Sequence, residues 1–237
     1  MRILVTGAGA VGGYFGARLI QAGRDVSFLV RSPRRQLLTG TGLVVRSPDG
    51  DVALTPQLIT AGELQEPYDL VLLTVKSYGL DELIEDLRPA IGPETVIVPA
   101  LNGMHHLDAL QAAYGSKAIF GGVCVIAAQL DPDGSVRHLG LEPSWTYGEL
   151  DGSLTERARR VDEILQVEGF RARLTDSIMI EMWEKWVFIG ATAAATCLLR
   201  GSVGEIEAAG GVPIVNRIID EASAVAAAAG YQPRAAT

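Results

Sequence analysis

The stretch that decides the fold of this 237-residue chain lies at its start and runs Arg2-Ile3-Leu4-Val5-Thr6-Gly7-Ala8-Gly9-Ala10-Val11-Gly12. Its first five residues form a short, mostly apolar run that predicts a β-strand. The next six carry the spacing Gly-x-Gly-x-x-Gly. A helix is predicted from about residue 11 to residue 21, and a second apolar run follows at residues 25–30. Strand, glycine-rich turn, helix and strand in this order form a βαβ unit, so the two strands are expected to be parallel.

The glycine spacing indicates a dinucleotide site, because the motif lies directly after a predicted strand and opens a predicted helix. Gly7 permits a tight turn, Gly9 lets the backbone approach a pyrophosphate, and Gly12 allows the helix to pack closely on the strand. The helix N-terminus offers free N–H groups to the phosphates. The alternative is a glycine-rich turn without a ligand. The predicted site consists of Gly7, Ala8, Gly9, Ala10, Val11 and Gly12.

The rest of the chain extends this unit into an α/β fold. Apolar runs at residues 68–75 and 95–100 predict further parallel strands, each followed by a helix, and residues 42–54 predict a small hairpin. From residue 177 the chain is predicted to be wholly helical. We therefore expect a Rossmann-like, NADP-binding domain with a mainly parallel sheet over residues 1–175. An all-helical domain for substrate binding or dimerisation is expected over residues 176–237.

The predicted helical domain is too small to form a sizeable hydrophobic core of its own. About 60 residues leave two or three helices with faces to bury and little core of their own. This domain is therefore expected to be partial, or to be covered by a partner subunit, which favours a homodimer.

Composition and charge narrow the classes of partner. The formal net charge of −8 disfavours nucleic-acid and membrane-surface binding. No apolar run approaches the roughly 20 residues that a membrane span needs, and the first residues predict a strand rather than a signal peptide. Cys124 and Cys197 are far apart and the three histidines show no metal spacing, so no disulfide framework and no metal site is predicted. We expect a cytoplasmic protein with a small-molecule substrate.

The end of the second predicted strand distinguishes the two nicotinamide dinucleotides. An NAD site usually has Asp or Glu there, bound to the ribose 2′-hydroxyl. This chain instead has Val30-Arg31-Ser32, with Arg34 and Arg35 close behind. Because a guanidinium forms charge-assisted hydrogen bonds to a 2′-phosphate, the sequence favours NADP(H), with Arg31 as the first choice for the contact. The alternative is a solvated basic loop.

Three further side chains are candidates for the reaction centre. Lys76 and Asn102 follow successive predicted strands, so both fall at the carboxyl edge of the sheet, where ligands bind. Lys185 lies in a largely apolar helix with no further charge until Arg200. Burial would lower the pKa of this lysine, which suits a general acid. The alternatives are a surface lysine, a turn asparagine, and a helix salt bridge between Lys185 and Glu181.

Taken together, these segments resemble the ketopantoate reductase (2-dehydropantoate 2-reductase) family. The resemblance is carried by GAGAVG at 7–12, an arginine after the second strand, TVKSY at 74–78, LNGM at 101–104 and EMWEKW at 181–186. It covers essentially the whole chain. It implies an enzyme that uses NADPH to reduce 2-dehydropantoate to pantoate, a step towards pantothenate and coenzyme A.

The resemblance also implies roles for single residues. Lys185 would be the general acid that protonates the carbonyl oxygen as hydride arrives. Asn102 would lie between cofactor and substrate, with Lys76 supporting the same site. The backbone of Ala128 matches a position that touches the cofactor.

Some positions depart from the family pattern. Ile189 and Ala193 stand where the family often has substrate-binding asparagines, Gly79 replaces a glutamine, and a serine and a glutamate of the family would fall beyond Thr237. Loss of a polar contact at Ile189 can change specificity by several orders of magnitude. A reductase of a different small 2-oxo acid therefore stays open, as does a non-catalytic NADP-binding protein.

Overall fold

The structure of the protein, a computed structural model, describes residues 1–234. The chain divides into two compact units. The first unit comprises Met1–Leu101 and His105–Ile178, and the second comprises Asn102–Met104 and residues from 179 onward.

In chain order the elements are β1 (Arg2–Thr6), α1 (Ala10–Gln21), β2 (Asp25–Leu29), α2 (Ser32–Thr41), β3 (Leu43–Arg46), β4 (Val52–Leu54), β5 (Gln57–Ile59), β6 (Leu70–Leu73), α3 (Leu80–Asp86), β7 (Val96–Pro99), α4 (His105–Tyr114), β8 (Phe120–Val125), β9 (Ala128–Leu130), β10 (Val136–His138), β11 (Ser144–Glu149), α5 (Glu156–Leu165), β12 (Arg171–Leu174), α6 (Ile178–Leu199), α7 (Val203–Ala208) and α8 (Val212–Ala228).

The central sheet of the first unit has five strands in the order β5-β2-β1-β6-β7, and every neighbouring pair is parallel. Ile3 in β1 lies opposite Val26 on one side and Leu70 on the other. Such sheets are covered on both faces, which explains the almost continuous apolar sequence of β1 and β6. The strand order reverses between β1 and β6, and this reversal creates a crevice at the carboxyl ends of the strands. The predicted α/β class and mainly parallel sheet are confirmed.

Two smaller mixed sheets complete the first unit, in the orders β4-β3-β10-β9 and β12-β11-β8. The predicted hairpin corresponds to the antiparallel pair β3 and β4, with Leu43 opposite Leu54. At one place in the core of the first unit, three aromatic rings pack together. Phe15 of α1 packs edge-to-face on Trp145, with ring centroids 5.0 Å apart, and on Phe170 at 4.8 Å.

The basic segment after Val30 differs from its prediction. We expect a loop there, but residues 32–41 form helix α2, with Pro33 in its first turn. Only Leu38 of this helix is fully buried, so the segment lacks the apolar periodicity that indicates a helix. Ser32 and Pro33, residue types common at the start of a helix, were the sequence signal for α2.

The apolar stretch at residues 118–130 also differs from its prediction. This apolar run predicts a single strand, with Ala128 at the end of its segment 122–128, but the structure has two strands, β8 and β9, which belong to different sheets. Ala128 therefore begins a strand instead of ending one. The chain changes sheets between the two strands, and apolar periodicity alone does not reveal such a change.

The second unit is helical, as predicted, and consists mainly of α6, α7 and α8. Helix α7 starts with a capping box between Ser202 and Glu205. The segment after α8 is held on α6, because the Arg234 guanidinium donates to both carboxylate oxygens of Glu184 at 2.8 and 2.6 Å. Within residues 1–234, no helix combines the length and hydrophobicity needed to cross a bilayer.

Replacing Gly12 with alanine should destabilise the protein by about 1–3 kcal/mol, the usual cost of an overpacked core. A Cβ at this position would lie 2.1 Å from the Gly7 carbonyl oxygen and 2.4 Å from Thr74 Oγ1. Urea unfolding would measure the loss. Gly40→Ala is the matched control, because a Cβ on Gly40 meets no atom within 4 Å. Equal unfolding midpoints for the two variants would contradict this packing argument.

Candidate active site

The glycine-rich turn joins β1 to α1 at the centre of the parallel sheet. Gly7 has φ +95°, a value that favours glycine, and its N–H donates to the Leu29 carbonyl at 2.8 Å. A Cβ on Gly9 would meet no atom within 4 Å, so open space adjoins the backbone there. No acidic residue lies in the first turn of α1. Free space, peptide N–H groups and a positive helix end together fit a pyrophosphate.

Thr74, directly after β6, anchors this turn. Its hydroxyl donates to the Thr6 carbonyl at 2.7 Å, and its N–H donates to the Thr6 hydroxyl at 3.0 Å. These bonds tie the ends of the two central strands together where the strand order reverses. The TVKSY motif contains Thr74 but does not indicate this anchoring role.

A cleft of about 1020 Å³ opens beside the turn, at the carboxyl ends of β1, β2, β5 and β6. This volume is close to the upper end of typical ligand sites, about 300–1,000 Å³. The cleft brings together most of the sequence-predicted cofactor residues, namely Gly7, Ala8, Gly9, Ala10, Val11, Arg31 and Lys76. Gly12 is buried and does not line the cleft, and neither does Ala128.

Arg31 lies at the N-cap position of α2 and extends to α3, where its Nη2 donates to Glu82 Oε2. Both side chains are well exposed, at 72% and 64%, and both line the cleft. Asp86 lies one turn further along α3 and also lines the cleft. Partial burial, helped by the nearby Glu82 carboxylate, raises the pKa of Asp86. The α3 side of the cleft is therefore acidic, which the sequence analysis did not anticipate.

Arg34 supports the glycine-rich turn. Its Nε donates to the Ala8 carbonyl at 2.9 Å and its Nη1 to the Gly134 carbonyl at 3.0 Å. Burial lowers the pKa of the Arg34 guanidinium. Because two backbone carbonyls hold this side chain, we infer that it positions the turn. Arg34 also lines the cleft, and its Nη2 has no hydrogen-bond partner within residues 1–234.

Arg35 takes no part in the cleft lining. Its Nη1 pairs with Glu63 Oε2 at 2.7 Å. The Thr60 N–H, assisted by Arg35, lowers the pKa of Glu63 to about 2. Of the three arginines after β2, Arg31 and Arg34 therefore line the cleft, and Arg31 is the more exposed of the two.

The other predicted residues, Asn102 and Lys185, belong to the second unit. Asn102 is exposed and follows β7, beside Gly103, whose φ is +88°. Lys185 is half-buried in α6, one turn after Glu181. One turn beyond the lysine, Ile189 is also half-buried.

The cleft residues that sequence reasoning missed include Thr60, Tyr78, Glu82 and Asp86. Thr60 follows β5, which at three residues is too short for a periodic signal. A signal for the two acids was present, because Glu82 and Asp86 are four residues apart on the helix that follows Lys76, and this spacing puts them on one helix face.

Comparison with known proteins identifies the family. A family profile described as "Ketopantoate reductase PanE/ApbA" matches residues 3–152, and one described as "Ketopantoate reductase PanE/ApbA C terminal" matches residues 177–236. The chain is similar to "Uncharacterized oxidoreductase YkpB" of Bacillus subtilis (strain 168), at 40% identity over 206 residues, which cover 87% of this chain and 68% of that protein.

Two relatives carry a more specific name. The chain is 28% identical over 236 residues to a 2-dehydropantoate 2-reductase of Streptococcus pyogenes serotype M3, covering 98% of this chain and 76% of the relative. The crystal structure of 2-dehydropantoate 2-reductase from Geobacter metallireducens GS-15 superposes with a TM-score of 0.86 at 32% identity, covering 94% of this chain and 74% of that one. The resemblance predicted from the motifs is confirmed: the chain belongs to the ketopantoate reductase PanE/ApbA family and is an oxidoreductase that uses a nicotinamide cofactor.

Proposed function

We propose that this enzyme uses NADPH to reduce 2-dehydropantoate to pantoate, a step of pantothenate and coenzyme A biosynthesis. The observation that carries the proposal is the cleft beside the glycine-rich turn, where Arg31 stands at the position that is usually acidic in an NAD site. The relatives named 2-dehydropantoate 2-reductase support the substrate. When bound, the cofactor supplies the hydride, and the protein supplies binding, orientation and the proton.

The first unit carries the binding roles. The N–H groups at the start of α1 bind the pyrophosphate, and the open space beside Gly9 admits it. Arg31 binds the 2′-phosphate through charge-assisted hydrogen bonds. Lys76, exposed in the cleft, helps to bind and orient the substrate and the nicotinamide.

Lys185 is the proposed general acid. As hydride reaches the carbonyl carbon of the 2-oxo acid, negative charge develops on the carbonyl oxygen, and the Lys185 ammonium transfers its proton to that oxygen. Asn102 is proposed to hold the substrate and the nicotinamide, and the backbone of Ala128 to contact the cofactor. The roles of Asn102 and Lys185 rest on the matches to the LNGM and EMWEKW motifs, and that of Ala128 on its matching position in the family.

A second candidate function is reduction of a different small 2-oxo acid. Ile189 and Ala193 on α6 favour it, because neither can make the hydrogen bonds of the asparagines that the family often has there. The cofactor and the proton donor would be the same, and only the part of the pocket that binds the rest of the substrate would differ.

The proposal extends to the setting of the enzyme. We propose a cytoplasmic enzyme that forms a homodimer through its helical second unit. Phe188 and Leu198 of α6, with 70% and 68% of their surfaces exposed, support a covered helical face. The proposed division of labour is NADP binding by residues 1–175, which also contribute Lys76 and Asn102 to the substrate, and substrate binding or dimerisation by residues 176–237.

A substrate panel tests the proposed reaction. NADPH oxidation, followed by absorbance, should be fast and selective with 2-dehydropantoate compared with other small 2-oxo acids. If another acid is preferred, the second candidate replaces the first. In that case Ile189→Asn should move the preference at least about tenfold towards 2-dehydropantoate, since a restored hydrogen bond discriminates strongly. Ile189→Ala, which removes bulk without adding polarity, is the control.

Replacing Lys185 with alanine should lower kcat by at least about 100-fold, because general acid catalysis is typically worth about 10²–10⁴-fold. The affinity for NADPH should change little. Lys117→Ala is the matched control, because Lys117 is an exposed lysine outside the candidate site. A kcat for Lys185→Ala within about threefold of the parent would refute the acid role.

Replacing Arg31 with alanine should weaken NADPH binding about 10- to 100-fold, the range expected for lost charge-assisted hydrogen bonds. NADH binding should stay unchanged, and fluorescence titration measures both dissociation constants. Arg35→Ala removes the same charge from a neighbouring arginine that pairs with Glu63 outside the cleft lining, so it should affect neither. Comparable affinities of the wild-type enzyme for NADPH and NADH would argue against the NADP assignment.

A further inference from the structure

The cleft carries charges of both signs beyond the glycine-rich turn. Arg31 lies at the start of α2, while Glu82 and Asp86 lie on one face of α3. Two carboxylates are unexpected where a phosphate dianion is to bind, since like charges at close range repel. Their presence in the lining therefore calls for a role.

The Arg31 guanidinium is already engaged, because its Nη2 donates to Glu82 Oε2. The contact joins residues 51 positions apart in the sequence, so the fold, and not a shared helix, brings them together. Both side chains are largely exposed, and an exposed ion pair is weak and is screened by salt. A stronger anion can therefore displace the carboxylate. A phosphate monoester, with a charge near −2 at neutral pH and three acceptor oxygens, is such an anion.

We propose that Glu82 determines cofactor specificity, because its carboxylate competes with the 2′-phosphate of NADP(H) for Arg31 and so sets how strongly the enzyme prefers NADPH. This inference rests on the proposed function, in which Arg31 binds that phosphate. With NADH the Arg31–Glu82 pair stays closed. With NADPH the pair must open, and the Glu82 carboxylate remains close to the bound phosphate. The preference for NADPH is then smaller than Arg31 alone would produce.

The test compares Glu82→Gln with the wild-type enzyme in titrations with NADPH and NADH. Glutamine keeps the size and the acceptor oxygen of glutamate but removes the charge. We expect the dissociation constant for NADPH to fall about three- to tenfold at low ionic strength, with NADH unchanged within about twofold, because only the charge competition is removed. Adenosine 2′,5′-bisphosphate and 5′-AMP, used as competing probes, should show the same difference. The gain should shrink at high salt.

Two further variants separate this role from general charge effects. Asp81→Asn removes one negative charge from the same helix, at an exposed residue that does not line the cleft, and should leave both affinities unchanged. In an Arg31→Ala background, Glu82→Gln should strengthen NADPH binding much less, because the guanidinium for which the carboxylate and the phosphate compete is absent.

The outcomes distinguish a failure of the role of Glu82 from a failure of the proposed function. If Arg31→Ala abolishes the preference for NADPH but Glu82→Gln leaves it unchanged, the role of Glu82 is wrong and the proposed function stands. Weaker NADPH binding in Glu82→Gln also overturns the inference, since Glu82 would then orient Arg31 for the phosphate. If neither the wild-type enzyme nor Glu82→Gln distinguishes NADPH from NADH, the assignment of NADP and the role of Glu82 both fail.

Discussion

The close approach of α1 to the strands beneath it is the constraint on which the rest of the first unit depends. Three positions on this helix have no room for a side chain. A Cβ on Gly12 would lie 2.1 Å from the Gly7 carbonyl oxygen, one on Gly13 2.8 Å from Val136, and one on Gly16 2.3 Å from the Phe28 ring. The helix thereby packs on the parallel sheet and on the sheet that contains β10. It also brings its N-terminus to the point where the strand order reverses, so the packing that closes the core places the phosphate site.

The candidate site combines two kinds of recognition with different physical origins. The pyrophosphate part is made of backbone, with a left-handed Gly7, open space beside Gly9 and Thr74 bound to Thr6, and it is held by the core. The part proposed to distinguish cofactors is made of exposed side chains on α2 and α3, where pairs of charges are individually weak. Arg34 links the two parts, since it starts from α2 and donates to the Ala8 carbonyl of the turn.

Much of this organisation could be predicted from the sequence, because it depends on local patterns. The βαβ unit, the parallel sheet and the cleft position of Arg31 follow from apolar runs, glycine spacing and the known behaviour of parallel sheets. Helix α2 was not predicted because it buries few apolar side chains, and β5 was not predicted because it has only three residues. The Arg31–Glu82 ion pair was not predicted because it depends on the relative placement of two helices from distant parts of the chain. No local sequence pattern indicates that placement. For Lys185, the EMWEKW motif is far more informative than the apolar surroundings alone.

The exposure of Arg31 and Glu82 has a consequence for the evolution of this enzyme. Neither side chain contributes to the core, and surface substitutions usually change stability by no more than about 0.5 kcal/mol. Gly12, in contrast, is enclosed by the Gly7 carbonyl oxygen and the Thr74 and Val5 side chains, and it has no room for a side chain. The glycine-rich turn is therefore tied to folding, whereas the side chains proposed to choose between the two dinucleotides are almost independent of it. On the proposed roles of Arg31 and Glu82, one or two exposed substitutions would change the cofactor preference at little cost in stability.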